Sequence, residues 1–210
     1  NPFAKNNPYD ELCTGKYIYI QNLPRQLNEE MLENCNTLNA GGNLCDPLEN
    51  SGFGPLVNDS EFFGESGWYK TYQYSIDVIF HNKMKQYKCL TKESSKAEAI
   101  FVPFYAGLDA GKYLWDEDVT LKDVASTQLA EYLRKTPEWA KTEGSDHFLV
   151  TGRVSWDFSR NSSNRLDWGN NLLILTEIKC MTNNARGRFD IPVPYPTYFH
   201  LSHDNKVFNC

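Results

Sequence analysis

The stretch that decides the fold is Ser145-Asp-His-Phe-Leu-Val-Thr-Gly-Arg-Val-Ser-Trp-Asp-Phe158. Its apolar segment, 148–150, is typical of a buried strand, and a glycine separates it from Arg153 and Asp157. In an open α/β sheet, ligands bind in the crevice beyond the carboxyl ends of the strands. The order of residues therefore predicts a guanidinium, a hydroxyl, an indole and a carboxylate at that edge. A purely structural turn, in which Trp156 packs and Asp157 caps, explains the same spacing.

The composition indicates a globular chain with an acidic balance. The 210 residues, of which 40% are hydrophobic, suffice for the core of one domain or of two small ones. The net charge of −6 argues against a nucleic-acid partner, because the basic footprint is missing. The sequence contains no apolar run of about 18 residues, the length that a membrane-spanning helix needs. The high aromatic content, 14%, suits surfaces that stack on sugar-like ligands.

The cysteines and glycosylation sequons indicate an oxidising, lumenal compartment. Six cysteines occur without a C-x-x-C pair, so disulfides are favoured over a zinc ribbon, although their pairing stays open. Among short-range pairs we predict Cys35–Cys45, which would hold a long loop to the first helix. The sequons 58–60 and 161–163 predict N-linked glycans on Asn58 and Asn161.

Strands alternate with helices along the chain, which predicts an α/β fold with a mostly parallel sheet flanked by helices. Residues 40–66, with five glycines and two prolines, read as one long loop. The predicted strands are Lys16–Leu23, Ala97–Tyr105, His147–Val154 and Leu172–Thr176. Three helices are predicted. The first starts at an Asn28 cap, the second spans Trp68–Tyr87, and the third opens at a Thr120 capping box and ends at Pro137.

Several kinds of site are excluded or weakly supported. The chain lacks G-x-G-x-x-G after a strand, a P-loop, H-E-x-x-H and G-x-S-x-G, which removes most dinucleotide enzymes, NTPases, zincins and α/β-hydrolases. The segment His200-Leu-Ser-His-Asp204 has metal-like spacing, but no third distant ligand can be named, so we predict no metal and no cofactor.

Polar residues at the predicted strand ends form a candidate cleft for a polyhydroxylated ligand. Amides and carboxylates there would bind hydroxyl groups, and aromatic rings would lie beneath sugar rings. Ordinary solvated loop polarity is the alternative for each residue taken singly. The residues are Gln21 and Asn22 after the first strand, Tyr105 and Asp109 after the second, and Arg153, Trp156 and Asp157 after the third.

Five segments, in order along nearly the whole chain, are Gly15–Pro24, Asp77–Tyr87, Ala99–Gly107, Asp146–Phe158 and Ile191–His200. Together they resemble the plant exostosin-like glycosyltransferases, and most of all the xyloglucan galactosyltransferases. The resemblance implies a type II Golgi membrane protein with a GT-B fold of two Rossmann-like domains. It further implies inverting transfer of galactose from UDP-galactose to xylosyl side chains of xyloglucan.

By this resemblance, residues 1–210 form one N-terminal, acceptor-side domain. The donor-binding domain, which would take UDP-galactose, and the membrane anchor are expected outside this chain. Xyloglucan or a related polysaccharide is the expected partner, on the lumenal side of the Golgi membrane, and homo- or hetero-oligomers with other Golgi transferases stay open.

Inverting transfer requires a base for the acceptor hydroxyl, and Asp157, Asp109 and His147 are the candidates. We rank Asp157 first because it follows a strand end, whereas His147 begins its strand and is expected at the opposite edge. Arg153 would either pair with the diphosphate or orient Asp157. The rival interpretation is a non-catalytic glycan-binding or partner-subunit module.

Overall fold

The computed structural model describes residues 12–38, 42–57, 68–158, 179–182, 191–196 and 199–201. In chain order the strands are β1 (Ile18–Ile20), β2 (Leu56–Val57), β3 (Trp68–Lys70), β4 (Leu90–Thr91), β5 (Ala99–Phe101), β6 (His147–Val150), β7 (Lys179–Thr182), β8 (Ile191–Pro192) and β9 (Phe199–Leu201). The α-helices are α1 (Glu29–Glu33), α2 (Cys45–Leu48), α3 (Ile76–Met84), α4 (Ala106–Lys112), α5 (Val119–Leu133) and α6 (Pro137–Thr142).

Six of these strands form one parallel sheet in the order β4-β1-β5-β6-β7-β8. Helices α1–α3 lie between β1 and β4, and α4–α6 lie between β5 and β6, where each crossover returns the chain to start another parallel strand. The predicted α/β fold with a mostly parallel sheet is therefore confirmed. A second, antiparallel sheet has the order β2-β3-β9.

Buried apolar clusters hold helices against the parallel sheet. One cluster joins α5 to the sheet through Leu129, Leu133 and Leu149. Another packs Met84 of α3 against Phe101 and Val150. The first cluster also contains Ala106 and Ala110 of α4, so α3, α4 and α5 are all packed around the carboxyl end of β6.

The prediction of one long helix over Trp68–Tyr87 is wrong for the first part of that range. Residues 68–70 form β3, which pairs with β2 and β9, and the helix starts at Ile76. Trp and Tyr suit the pleated, half-buried surface of a strand, and their long-range partners override the helical spacing. Ser75 closes the intervening turn, with its hydroxyl donating to the Tyr72 carbonyl at 2.7 Å.

Two helix boundaries also differ from the prediction. The cap of α5 is Asp118, not Thr120, because the Asp118 carboxylate accepts the Thr120 amide at 2.9 Å and its hydroxyl at 2.6 Å. The predicted helix from Thr120 does not continue to Pro137. It ends at Leu133, and Pro137 instead opens α6, where its fixed φ and missing N–H are tolerated.

The segment predicted as a loop over 40–66 contains α2 and β2. The predicted Cys35–Cys45 disulfide is confirmed, and it joins the first residue of α2 to the segment just after α1. A second disulfide, Cys13–Cys89, closes a loop across 76 positions. Both sequon asparagines, Asn58 and Asn161, and the predicted strand Leu172–Thr176 lie outside the described residues.

The Asn28 cap is confirmed, since its side chain accepts the Glu29 amide. The predicted strands at Lys16–Leu23, Ala97–Tyr105 and His147–Val154 exist but are shorter than expected. Within the described segments, no helix has the length and apolar character needed to cross a bilayer.

Candidate functional site

The carboxyl end of β6 leads into a turn that brings a guanidinium and a carboxylate together. A short 3-10 helix, Ser155–Phe158, starts just beyond the strand, and its Asp157 amide donates to the Val154 carbonyl at 3.0 Å. Arg153 Nη1 donates to Asp157 Oδ2 at 3.2 Å. The Asp157 side chain keeps 14% of its surface exposed, so a ligand can reach it.

Arg153 is held on several sides at once. Its Nε donates to the Gly107 carbonyl of α4 at 2.8 Å, and its guanidinium lies 4.2 Å from the centre of the Tyr74 ring. A Cβ on Gly111 would stand 2.6 Å from Arg153 Nη2, so α4 approaches the guanidinium as closely as a glycine permits. The cation is thus packed against an aromatic face, with only its Nη1 edge turned to Asp157.

The turn itself is fixed by a buried carboxylate, Asp77, in the first turn of α3. Its oxygens accept the Gly107 amide at 2.7 Å and the Gly152 amide in a second short bond. Burial raises the pKa of Asp77 to about 7, although these two bonds and the Arg153 charge act in the opposite direction. Asp77 therefore ties α3 to the start of α4 and to the turn that carries Arg153.

Backbone contact leaves no space for a side chain at this turn. A Cβ on Gly152 would lie 2.5 Å from the Tyr74 carbonyl oxygen, which is far inside van der Waals contact. Gly152 is therefore required for the close approach of the turn to the segment before α3.

Tyrosine rings extend the site away from Arg153. Tyr74 contacts Tyr72 edge-on with ring centres 5.3 Å apart, and Tyr195 edge-on at 5.8 Å. Tyr195 is exposed over 38% of its surface. A polar pair, Arg153 and Asp157, thus lies at one end of an aromatic series whose outer ring faces solvent.

Asp109, the second candidate base, lies on α4 and is 9% exposed. It borders a small cavity with room for roughly one water. The other lining residues are Phe104, Ala106, Ala110, Lys122, Ser126 and Phe158. The same helix thus carries Asp109 and the backbone groups that bind Asp77 and Arg153.

His147, the third candidate base, lies at the amino end of β6, as the sequence predicts, and so at the opposite end of the strand from Asp157. It is fully buried against Trp139, and its Nδ1 lies 2.7 Å from Asp146 Oδ1. Burial lowers the pKa of His147, against the opposing effect of the Asp146 carboxylate. The structure does not bring His147 together with the pair at the carboxyl end.

The candidate acceptor-binding residues after β1 differ in exposure. Gln21 is buried and its Oε1 has no hydrogen-bond partner among the described residues. Asn22 is exposed, and its carbonyl accepts the Tyr132 hydroxyl at 2.8 Å.

Tyr105 is buried rather than surface-facing. Its hydroxyl lies 2.9 Å from His81 Nδ1, and burial raises the pKa of Tyr105. Burial lowers the pKa of His81 to about 4, so this imidazole is neutral at physiological pH. Trp156 lies in the 3-10 helix between Arg153 and Asp157 in sequence, and its side chain lies outside what the structure describes.

Sequence reasoning missed Asp77, Tyr74 and Tyr195. The signal for Asp77 was present, because a lone carboxylate in the apolar run 76–80 is rarely buried without a partner. Within the described ranges, no group of three or more His, Cys, Asp or Glu side chains is arranged to hold a metal ion.

Comparison with known proteins identifies relatives of this chain. The model of the Exostosin GT47 domain matches residues 12–209. Xyloglucan galactosyltransferase MUR3 of Arabidopsis thaliana is 50% identical over an alignment of 202 residues, which covers 93% of this chain and 33% of that protein. Probable xyloglucan galactosyltransferase GT14 of the same plant is 43% identical over 91% of this chain and 38% of its own length.

A relative with a different printed activity aligns over the same region. Xyloglucan-specific galacturonosyltransferase 1 of Arabidopsis thaliana is 33% identical over 93% of this chain and 29% of its own length. The chain thus spans about a third of the length of these relatives. No solved structure matches the chain.

Proposed function

The chain belongs to the Exostosin GT47 domain family, and we propose that it is the acceptor-side part of a glycosyltransferase of xyloglucan synthesis. The transferred sugar is galactose, from UDP-galactose to xylosyl side chains, with inversion at the anomeric carbon. The observation that carries this proposal is the 50% identity, over 93% of the chain, to a protein named xyloglucan galactosyltransferase.

Relatives whose names give different donor sugars support an acceptor role for this region. Galactosyl- and galacturonosyltransferases both align with more than 90% of the chain, and both names share xyloglucan. A region common to both groups fits recognition of the shared acceptor better than recognition of the donor sugar. We propose that the UDP-galactose site is formed by residues outside these 210.

Asp157 is the base that we assign to the acceptor hydroxyl. Arg153 engages Oδ2, so Oδ1 is the oxygen assigned to the acceptor. The hydroxyl oxygen forms a bond to the anomeric carbon while its proton passes to Asp157. The bond from that carbon to the diphosphate oxygen breaks, and its electron pair leaves with UDP. A positioned base typically contributes about 10²–10⁴-fold to the rate.

Arg153 acts by orienting Asp157 rather than by binding diphosphate. It is only 6% exposed, and its guanidinium contacts the Gly107 carbonyl, the Tyr74 ring and Asp157. A cation committed to three protein partners has little surface left for a diphosphate. Cations or helix N-termini elsewhere would stabilise the leaving group.

The proposal is tested by transfer assays on two forms of the protein. The intact protein, incubated with UDP-galactose and galactose-free xyloglucan oligosaccharides, should form a product heavier by one hexose. The 210-residue chain alone should form none, because the leaving-group site lies elsewhere. Mass spectrometry of the oligosaccharides measures both.

The outcomes separate the candidate functions. Turnover by the 210-residue chain would overturn the division of roles. No transfer by the intact protein, together with binding of the oligosaccharide, would favour the non-catalytic glycan-binding module.

We propose the Golgi lumen as the compartment, on the secretory side of the membrane. The disulfides Cys13–Cys89 and Cys35–Cys45 support an oxidising environment. Expression in a secretory host should therefore add glycans at Asn58 and Asn161, and deglycosylation should lower the mass. Replacement of each asparagine by glutamine should remove one glycan apiece, and an unchanged mass in every form would contradict the assignment.

A further inference from the structure

An exposed tyrosine lies beside the candidate centre without a role in the core. Tyr195 is 38% exposed, and its ring packs edge-on against Tyr74 at 5.8 Å. Tyr74 in turn carries the Arg153 guanidinium on its face at 4.2 Å. Tyr195 is thus the outermost member of a packed series that begins at the Arg153–Asp157 pair.

The charges of Arg153 and Asp157 act on the Tyr195 hydroxyl. Burial of its inner side is the main cause that raises the pKa of Tyr195, and Tyr74 and the negative Asp157 raise it further. The positive Arg153 acts in the opposite direction. The Tyr195 hydroxyl therefore stays protonated as a donor on the same side of the molecule as the candidate base.

Prolines restrict the backbone that carries this ring before a ligand binds. Tyr195 follows β8 in a segment whose alternate residues 192, 194 and 196 are prolines, which fix φ. Val193 of the same segment packs against the cluster that contains Met84 and Phe101. A ring fixed before the ligand arrives loses little freedom on binding, and such preorganisation favours affinity.

We propose that the exposed face of Tyr195 is a stacking platform for one sugar ring of the acceptor glycan, next to Asp157. A pyranose ring has an apolar face of C–H groups that covers an aromatic ring, while its hydroxyl groups remain bonded to water or to polar side chains. Tyrosine matches that ligand, because it offers a large apolar face and a hydroxyl donor at its edge. This inference rests on the proposed function and names a residue that selects its acceptor.

The test compares Tyr195→Ala and Tyr195→Phe in the intact protein with a xyloglucan oligosaccharide as acceptor and UDP-galactose as donor. We expect Tyr195→Ala to raise the acceptor KM by about tenfold, a loss of about 1.4 kcal/mol in binding, with the donor KM unchanged. Tyr195→Phe keeps the face and should raise the acceptor KM by less than about threefold.

Tyr87→Ala is the matched control. Tyr87 is also partly buried, and its hydroxyl donates to the Lys16 carbonyl before β1, at the amino end of the sheet. This variant should lower thermal stability without changing either KM. An unchanged acceptor KM in Tyr195→Ala, in a preparation whose wild type transfers galactose, would overturn the inference alone. Absence of transfer by the wild type would instead contradict the proposed function, and an increase confined to the donor KM would place Tyr195 in the donor site.

Discussion

Asp157→Asn should lower the kcat of the intact enzyme by about 10²–10⁴-fold and leave the acceptor KM nearly unchanged. Asparagine keeps the shape of the side chain and one oxygen that accepts from Arg153 Nη1. It does not take a proton from the acceptor hydroxyl. A loss in kcat with little change in KM identifies an interaction made in the transition state. Steady-state kinetics with the oligosaccharide acceptor measure both constants.

Asp109→Asn is the comparison variant, because Asp109 is the alternative carboxylate and lies on α4 beside a small cavity. We expect it to keep most of the wild-type kcat. If Asp157→Asn retained wild-type turnover, Asp157 would be removed from the chemistry and Asp109 would become the candidate base. If Asp157→Asn failed to fold, with a collapsed thermal transition, its role would be that of a cap for the turn.

The position of Arg153 and Asp157 follows from local sequence, and in the structure the two side chains are hydrogen-bonded. The apolar run 148–150 forms a strand, and the turn that follows it, 151–158, lies at the carboxyl edge because the sheet is parallel. The same reasoning correctly separates His147, which begins the strand. Location at a sheet edge therefore follows from chain order alone.

The contacts that hold this pair do not follow from local sequence. The amides that Asp77 accepts lie 30 and 75 positions further along the chain. The helix α4 was missed because 106–112 contains two glycines, which are poor helix formers. Those glycines have tertiary reasons: Gly107 donates to Asp77, and Gly111 makes room for Arg153. Since α4 begins at Ala106, Tyr105 lies at a helix start inside the core instead of at a strand end facing a ligand.

Asp77→Ala should destabilise the chain by about 2–6 kcal/mol, since it leaves two amides, those of Gly107 and Gly152, without an acceptor at about 1–3 kcal/mol each. Because Asp77 is 2% exposed, water does not replace the lost bonds freely. The control is Asp116→Ala, whose exposed carboxylate also accepts one backbone amide, that of Asp118, and whose loss should cost about 0.5 kcal/mol. Denaturant unfolding of the 210-residue chain measures both, and equal losses would show that the Asp77 bonds add nothing specific.

The pH dependence of this difference reports the protonation of Asp77 itself. Burial raises its pKa in the folded chain to about 7, above the ordinary value of 3.8 that we take for the unfolded chain. Between those two values the folded chain holds a proton that the unfolded chain releases, so the contribution of Asp77 to stability is fully present below about pH 3.8 and is lost as the pH rises from there to about 7. The unfolding free-energy difference between the wild type and Asp77→Ala should therefore be larger near about pH 5 than near about pH 8. The remaining acidic groups are common to both proteins, so their effects largely cancel in the difference. A difference that grew with pH would mean that the Gly107 and Gly152 amides and Arg153 outweigh burial, and that Asp77 is fully ionised in the folded chain.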